Sequence, residues 1–163
     1  MEENDYGLSA DSYYKQWSVF QAEALKRFTE ARGQKVPGII WTSHLTEAGR
    51  AGQYLSPSDY IIQIWTTGDD PVIKELLQLG FRIIISNYDD LYLDCGLGAW
   101  VGEGNNWCSP YKGWQKIYEN SPRDIAGVGY HAQILGGEAA LWSEQVDSTS
   151  VDARVSNSCN SCL

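Results

Sequence analysis

The stretch from Asp59 to Ser86, DYIIQIWTTGDDPVIKELLQLGFRIIIS, decides the fold. Its two ends, DYIIQIW and FRIIIS, are apolar runs without polar alternation, which is typical of parallel strands covered on both faces. Between them, Asp70 is placed to cap a helix, Pro71 to begin it and Gly80 to end it. The apolar stripe of this helix is made of Val72, Ile73, Leu76 and Leu77. The stretch therefore predicts a β-α-β unit.

A long helix is predicted before this unit. From Tyr13 the large residues recur at steps of three and four, which is typical of a helix with one buried face, and Gly33 and Pro37 end it. The predicted buried face consists of Tyr13, Trp17, Phe20, Ala24, Phe28 and Ala31. A short apolar run at residues 38–42, GIIWT, follows as a further strand.

A fourth strand is predicted within residues 132–142, AQILGGEAALW. The connection that leads to it, residues 88–130, contains one predicted short helix around residues 110–118. Connections of this length in a compact domain are usually functional.

Strands that alternate with helices predict an α/β fold with a parallel sheet, either doubly wound or part of a (β/α)8 TIM barrel. Four strands are about half of such a barrel, which typically needs about 250 residues. We expect a single domain over residues 1–155, followed by a disordered tail over residues 156–163, SNSCNSCL.

The charge and aromatic composition restrict the ligand. With 12 Lys and Arg against 21 Asp and Glu, the net charge of −9 would repel phosphate backbones and anionic lipids, so nucleic acid is not expected as a partner. Seven Trp and ten Tyr against three Phe favour a sugar, because Trp and Tyr join a large apolar face to a hydrogen-bonding group.

Two features bear on the cellular compartment. No stretch approaches the roughly 20 apolar residues of a membrane span, and the first residues lack the features of a signal peptide. Cys95 and Cys108, however, flank a Gly-, Asn- and Trp-rich loop of the kind that a disulfide often closes in oxidising compartments. Both observations agree if Met1 is not the native start.

Candidate binding residues lie at the carboxyl ends of the predicted strands, where ligands bind in parallel α/β architectures. They are Trp41, Trp65, Tyr92, Asp94, Trp142 and Glu144. Because alternate residues of an extended segment point the same way, Tyr92 and Asp94 share a face. The same holds for Trp142 and Glu144, and these four residues form the tightest predicted cluster. A tryptophan beside a carboxylate can stack a pyranose and accept its hydroxyl protons; the alternative is tryptophans that fill the core and carboxylates that are solvated.

Other polar groups are assigned structural roles. The side chains of Asp69-Asp70 and Asp89-Asp90 diverge, unlike two carboxyls that face each other across a glycosidic bond. His44 and His131 are well separated, and no serine or cysteine lies in a recognisable nucleophile motif. The segment Cys159-Asn-Ser-Cys162 has metal-binding spacing but no second ligand pair. No metal or other cofactor is expected.

Four stretches resemble the β-N-acetylhexosaminidases of glycoside hydrolase family 20, most closely their insect chitin-degrading branch. The stretches are PGIIWTSHLTEAG, YIIQIWTTGDDP, IIISNYDDLYLDCGLGAWVGEGNNWCSPYKGWQKIY and GGEAALWSEQVD. They cover most of residues 11–152, and the blocks 94–111 and 138–147 are the most specific. The resemblance implies a (β/α)8 barrel that removes terminal β-linked N-acetylglucosamine or N-acetylgalactosamine from chitin oligosaccharides or glycans. It also implies substrate-assisted catalysis, an exception to the mechanism with two carboxylates.

The resemblance also implies a role for each matching residue. Trp41, Trp65 and Trp142 would wall the pocket of the terminal sugar. Tyr92 would be the catalytic residue that hydrogen-bonds the attacking acetamido oxygen. Asp94 and Glu144 would bind the outer hydroxyls, and Trp107 would stack on the next sugar of a chitin oligosaccharide. Cys95 and Cys108 would form a disulfide that holds this loop.

One departure from the family pattern is equally informative. The family's catalytic Asp-Glu pair lies at the end of an earlier strand, and no Asp-Glu dipeptide occurs here. We therefore expect this chain to carry the sugar-binding half of an enzyme's active site and to be inactive alone. The parent enzyme is expected to be extracellular or lysosomal. A homodimer is one expectation for its oligomeric state. The alternatives are a non-catalytic, lectin-like protein that binds N-acetylglucosamine and a product without function.

Overall fold

The computed structural model of the protein describes residues 9–47, 49–96, 108–143 and 146–159. Within these ranges strands alternate with helices, as predicted. The elements are α1 (Ala10–Arg32), β1 (Gly38–Trp41), α2 (Ala51–Tyr54), β2 (Tyr60–Ile64), α3 (Pro71–Gln78), β3 (Arg82–Ile85), α4 (Tyr88–Leu91), α5 (Trp114–Glu119), α6 (Pro122–Ala126), a 3₁₀ turn (His131–Gln133), β4 (Ile134–Gly137) and α7 (Val151–Cys159).

The four strands form one parallel sheet in the order β1-β2-β3-β4. Trp41 at the end of β1 is in register with Gln63, and Gln63 with Ile84, so the carboxyl ends of the strands lie at one edge. A doubly wound sheet reverses its strand order at a switch point, whereas a barrel adds each strand beside the last. The sequential order therefore confirms the prediction of a partial (β/α)8 barrel.

The hydrophobic core lies between one face of the sheet and the helices. From the sheet it contains fully buried isoleucines, namely Ile62, Ile64, Ile83 and Ile85, and from α3 it contains Leu76 and Leu77. The opposite face is less covered, since Ile39 and Trp41 of β1 are exposed. Consequently only β2 is buried along its whole length, whereas β1 and β3 alternate between more and less buried residues.

Helix α3 follows its sequence signals closely. The carboxylate of Asp70 accepts a hydrogen bond of 2.8 Å from the backbone N–H of Val72, and Pro71 is the first helical residue. At the other end, Gly80 has a φ of 88°, a left-handed conformation that glycine adopts without steric cost. The chain then returns to the sheet, where the backbone N–H of Phe81 donates to the carbonyl of Leu76 at 3.0 Å.

Helix α1 forms where it was predicted and has its C-cap at Gly33, but its predicted buried face was wrong. Trp17, Phe20 and Phe28 are exposed, whereas Tyr14 is buried and Leu25 packs against the core. The packed face lies about one residue, or 100°, away from the aromatic stripe. Periodicity located an apolar face, but contact with the sheet determined which face is packed.

The connection between β3 and β4 contains three short helices within its described residues, α4, α5 and α6, instead of the single one predicted. At the end of the chain, α7 continues to Cys159, so residues 156–159 are helical although the tail was expected to be disordered from residue 156. Asp147 supports the start of this helix, because its Oδ1 accepts hydrogen bonds of 3.0 Å from the backbone N–H groups of Thr149 and Ser150. Among the described residues, no helix has both the length and the apolar composition to cross a membrane.

Candidate functional site

The three predicted pocket tryptophans lie at the carboxyl edge of the sheet. Trp41 ends β1, Trp65 follows β2, and Trp142 lies five residues beyond β4. Their exposed fractions are 38%, 44% and 48%, so within the described part of the chain none of them is a fully buried core residue. Each can present part of an indole face to a ligand.

Tyr92 and Asp94 follow β3 through the single turn of α4. The residue Tyr92 pairs with Ala140 in a parallel bridge. Two backbone hydrogen bonds of 2.8 Å, from the N–H of Leu93 to the carbonyl of Ala140 and from the N–H of Ala140 to the carbonyl of Leu91, extend this contact. The segment after β3 is thereby joined to the segment after β4 beyond the end of the regular sheet.

This pairing brings together the residues that the sequence grouped as its tightest cluster. The ring centroids of Tyr92 and Trp142 are 6.3 Å apart, with an interplanar angle of 57°. The backbone N–H of Trp142 donates to Oδ1 of Asp94 at 3.3 Å. Tyr92 is 3% exposed and Asp94 is 7% exposed. A phenol, a carboxylate and an indole therefore form one contiguous group.

Burial raises the pKa of the Tyr92 phenol above its ordinary value. A hydrogen bond with the Trp142 side chain acts in the opposite direction, while the negative charges of Asp94 and Glu138 reinforce the rise. A tyrosine phenol is already protonated near neutral pH, and the net rise extends the protonated form into more alkaline solution. Tyr92 can then donate a hydrogen bond to a ligand oxygen.

The predicted disulfide between Cys95 and Cys108 is present, with a Cα–Cα distance of 5.2 Å. Its two cysteines are buried, and they tie the residue after Asp94 to the start of the segment that leads to α5. Within the described chain, Asp94, Cys95 and Cys108 are the one group of three potential metal ligands. Both sulfurs are consumed by the disulfide, so this group does not offer the thiolates that would bind zinc.

Two predicted site residues, Trp107 and Glu144, lie outside the described residues. Their positions in the sequence place Trp107 beside Cys108 and Glu144 two residues after Trp142. Their proposed contacts with a sugar stay predictions.

A groove of about 600 Å³ opens beside Trp65, between α1, the segment after β1 and the start of α3. Its lining includes Trp17, His44 and Glu47, none of which was among the predicted site residues. Burial acts to raise the pKa of Glu47, but hydrogen bonds from His44 and Arg50 outweigh it and hold the pKa below its ordinary value. These polar groups satisfy one another, so His44 has the structural role assigned to it from the sequence.

The adjacent aspartates also have structural partners. Asp70 caps α3. Asp89 accepts the backbone N–H of Gly68 through both carboxylate oxygens, at 3.1 and 3.2 Å. Asp90 is buried and lies 3.0 Å from the Nζ of Lys116. Neither pair presents two carboxyls to a common ligand.

The fold agrees with what the chain is similar to. The model of the catalytic domain of glycosyl hydrolase family 20 matches residues 3–157. A chitooligosaccharidolytic β-N-acetylglucosaminidase of Ostrinia furnacalis is 56% identical over 155 residues, which are 95% of this chain. The enzyme of the same description from Bombyx mori is 54% identical over 155 residues, again 95% of this chain. The chain therefore belongs to glycosyl hydrolase family 20.

A solved structure shows the same fold. The β-N-acetylhexosaminidase from Bacteroides fragilis superposes with a TM-score of 0.65 at 20% identity, over 91% of this chain and 28% of that one. The chain spans 26% of the length of each of the two insect relatives.

Proposed function

We propose that this chain supplies the sugar-binding half of the active site of a β-N-acetylglucosaminidase that acts on chitin oligosaccharides. The observation that carries the proposal is the group formed by Tyr92, Asp94 and Trp142 at the carboxyl edge of a partial barrel, where TIM-barrel enzymes have their active sites. Membership of the family supports it. The relatives from Ostrinia furnacalis and Bombyx mori are chitooligosaccharidolytic, which supports the choice of substrate.

In the proposed site, Trp41, Trp65 and Trp142 wall a pocket for the terminal sugar. Indoles suit this role because the C–H faces of a pyranose are apolar while its edge is polar. Their partial exposure leaves indole surface available to a ligand.

Tyr92 is the proposed catalytic residue of this half-site. In substrate-assisted hydrolysis the acetamido carbonyl oxygen of the sugar attacks the anomeric carbon, and the glycosidic bond to the leaving oxygen breaks as the new bond forms. The phenol O–H of Tyr92 donates a hydrogen bond to the attacking oxygen and thereby orients it. The phenol carries its proton near neutral pH, as this role requires, because an ionised tyrosine could only accept.

Asp94 and Glu144 are the proposed acceptors of the outer sugar hydroxyls, and Trp107 stacks on the next sugar. One oxygen of Asp94 already accepts the backbone N–H of Trp142, which orients the carboxylate. A carboxylate has about four lone-pair sites, so it can accept from more than one donor. The Cys95–Cys108 disulfide holds the loop that ends in Trp107 and supports an extracellular or lysosomal compartment.

The proton for the leaving oxygen has to come from another part of the barrel. In the family it is supplied by the Glu of an Asp-Glu pair, and this chain contains no Asp-Glu dipeptide. A positioned general acid is worth typically about 10² to 10⁴-fold in rate. We therefore propose that residues 1–163 alone do not hydrolyse a β-N-acetylglucosaminide.

A chimera tests the proposal. The matched segment of the Ostrinia furnacalis relative, aligned over 155 residues, is replaced by this chain, and hydrolysis of di-N-acetylchitobiose is measured. We expect turnover in the chimera, and a loss of kcat when Tyr92→Phe removes the phenol O–H. A folded chimera without turnover would contradict the proposal, as would full activity after the Tyr92→Phe substitution.

A second candidate is a non-catalytic protein that binds N-acetylglucosamine. It is favoured by one observation, namely that Tyr92, Asp94 and Trp142 assemble within this chain without any other segment. Quenching of tryptophan fluorescence by N-acetylglucosamine, measured on residues 1–163 with glucose as the control sugar, tests it. Equal responses to both sugars would contradict it.

A further inference from the structure

A pair of hydrogen-bonded amides, Asn87 and Asn120, lies beyond the end of β3, and Asn87 precedes Tyr92 by five residues. The side chain of Asn87 is fully buried. Its Nδ2 donates to Oδ1 of Asn120 at 3.3 Å, and the Nδ2 of Asn120 donates back to Oδ1 of Asn87 at 3.0 Å. The Nδ2 of Asn87 also donates to Oδ1 of Asp89 at 2.6 Å. The amide of Asn87 therefore acts as donor and acceptor at once.

The pair joins three segments that are distant in sequence. Asn120 is the C-cap of α5, 33 residues from Asn87. Asp89 in turn accepts the backbone N–H of Gly68, which lies in the segment after β2. A Cβ built on Gly68 would lie 3.2 Å from the Nδ2 of Asn87, so a side chain at this position would crowd the amide.

These contacts lie at the start of the segment that carries the proposed catalytic tyrosine. Helix α4 is a single turn, Tyr88–Leu91, and a helix this short has little stability of its own. Its far end is joined to Ala140 through backbone hydrogen bonds. Its near end is held by the Asn87 contacts and by a hydrogen bond of 3.1 Å from the N–H of Tyr88 to the carbonyl of Thr66.

We propose that Asn87 is a positioning residue for the sugar site. Its bonds to Asn120 and Asp89 hold the start of α4, and through it the phenol of Tyr92, where that phenol meets the acetamido oxygen of the substrate. The inference rests on the proposed function. Because the acetamido oxygen is the attacking atom, misplacement of Tyr92 lowers kcat more than it raises KM.

The Asn87→Asp variant tests this inference in the chimera described above. The substitution keeps the shape of the side chain but puts a carboxylate where an amide donates to the Asp89 carboxylate at 2.6 Å. We expect kcat to fall about 10- to 100-fold, since small misplacements of reacting groups cost up to about 10²-fold, with a smaller change in KM.

A double exchange provides the rescue. In Asn87→Asp with Asp89→Asn, residue 89 becomes the donor and residue 87 the acceptor, and the net charge equals that of the unsubstituted chimera. Residue 89 keeps an oxygen for the N–H of Gly68. The bond from residue 87 to Oδ1 of Asn120 is not restored, so we expect the double exchange to recover part of kcat. Asn120→Asp, which removes only the bond donated to Asn87, is expected to lower kcat less than Asn87→Asp and gives a second measurement if that variant does not fold.

The control is Ser121→Ala, one residue from Asn120. It removes the hydroxyl that accepts the N–H of Asp124 at 3.3 Å and caps α6, so it lowers the thermal midpoint without touching the amide pair. We expect its kcat to be unchanged.

The inference is overturned if kcat of Asn87→Asp equals that of the unsubstituted chimera, or if the double exchange folds without recovering kcat. The inference is also overturned if both Asn87→Asp and Ser121→Ala lose kcat in proportion to the fall in their thermal midpoints. An unsubstituted chimera that folds without turnover refutes the proposed function, and this inference with it.

Discussion

The backbone N–H of Trp142 donates a hydrogen bond to the side chain of Asp94, 48 residues away in sequence. This bond joins the segment after β4 to the segment after β3 at the point where regular strand pairing has ended. It sets the orientation of a nearly buried carboxylate and holds the indole of Trp142 beside the phenol of Tyr92. Asp94 therefore contributes to the shape of the site as well as to its charge.

Asp94→Ala is expected to lower the free energy of unfolding of the chain. The substitution leaves the partly buried N–H of Trp142 without its acceptor, which costs about 1 to 3 kcal/mol. Asp94→Asn retains an oxygen at the same position and should cost less. Chemical denaturation of the 163-residue chain measures both variants, and equal losses for alanine and asparagine would show that the hydrogen bond is not the cause.

Leu76→Ala is expected to be strongly destabilising. Leu76 is fully buried between α3 and the sheet, and truncation of a buried leucine costs about 2 to 5 kcal/mol through lost burial and a residual cavity. Leu79→Ala, at the exposed C-cap of the same helix, is the matched control. A similar loss in the two variants, measured by urea denaturation, would contradict the assigned position of the core.

Removal of the Cys95–Cys108 disulfide is expected to cost about 3 kcal/mol, because the bond closes a loop with a sequence separation of 13 and restricts the unfolded chain. The double variant Cys95→Ser with Cys108→Ser shows this as a lower thermal midpoint. In the unsubstituted chain, reduction followed by alkylation should have the same effect. Alkylation without reduction is the control and should leave the midpoint unchanged.

The stability of the chain is expected to decline in alkaline solution, in part through Tyr92. In the unfolded chain this phenol ionises at about pH 10, whereas burial raises its pKa in the folded chain. The neutral phenol therefore makes its full contribution to the free energy of unfolding below about pH 10. This contribution is lost as the pH rises through the folded-state pKa. Tyr92→Phe should flatten this decline in thermal midpoint.

Tyr118→Phe, at an exposed tyrosine, is the control for this measurement. An alkaline decline that is equally steep in Tyr92→Phe and in the unsubstituted chain would contradict the contribution assigned to Tyr92.

Local sequence signals located the four strands and helices α1 and α3 because each of these depends on neighbouring residues. The isoleucine runs predicted β2 and β3, and Asp70, Pro71 and Gly80 predicted the ends of α3. Two alternatives stayed open at that level, since a doubly wound sheet and a barrel share the same alternation of strands and helices. The sequential strand order, together with the likeness to a solved family member, selects the barrel.

The packed face of α1 and the contacts of Asn87 could not be predicted in this way. The aromatic stripe of α1 has the right period, yet Tyr14 and Leu25 on an adjacent face contact the core. Asn87 and Asn120 carry no local pattern that relates them. Close approach of the β3 end to the C-cap of α5 creates their pairing.

The sequence by itself determined the strands, the capped helix α3, the cysteines that close a loop, and the tryptophans at strand ends. The strands, the helix and the tryptophans follow from periodicity, backbone preferences and short-range spacing, whereas the pairing of the cysteines is what the family resemblance implies. Only the tertiary structure decided the contacts that join Tyr92, Asp94 and Trp142, and the amide pair at the start of the segment leading to them. Such contacts depend on how the ends of neighbouring strands meet in space, and residues far apart in sequence meet there only after the sheet has formed.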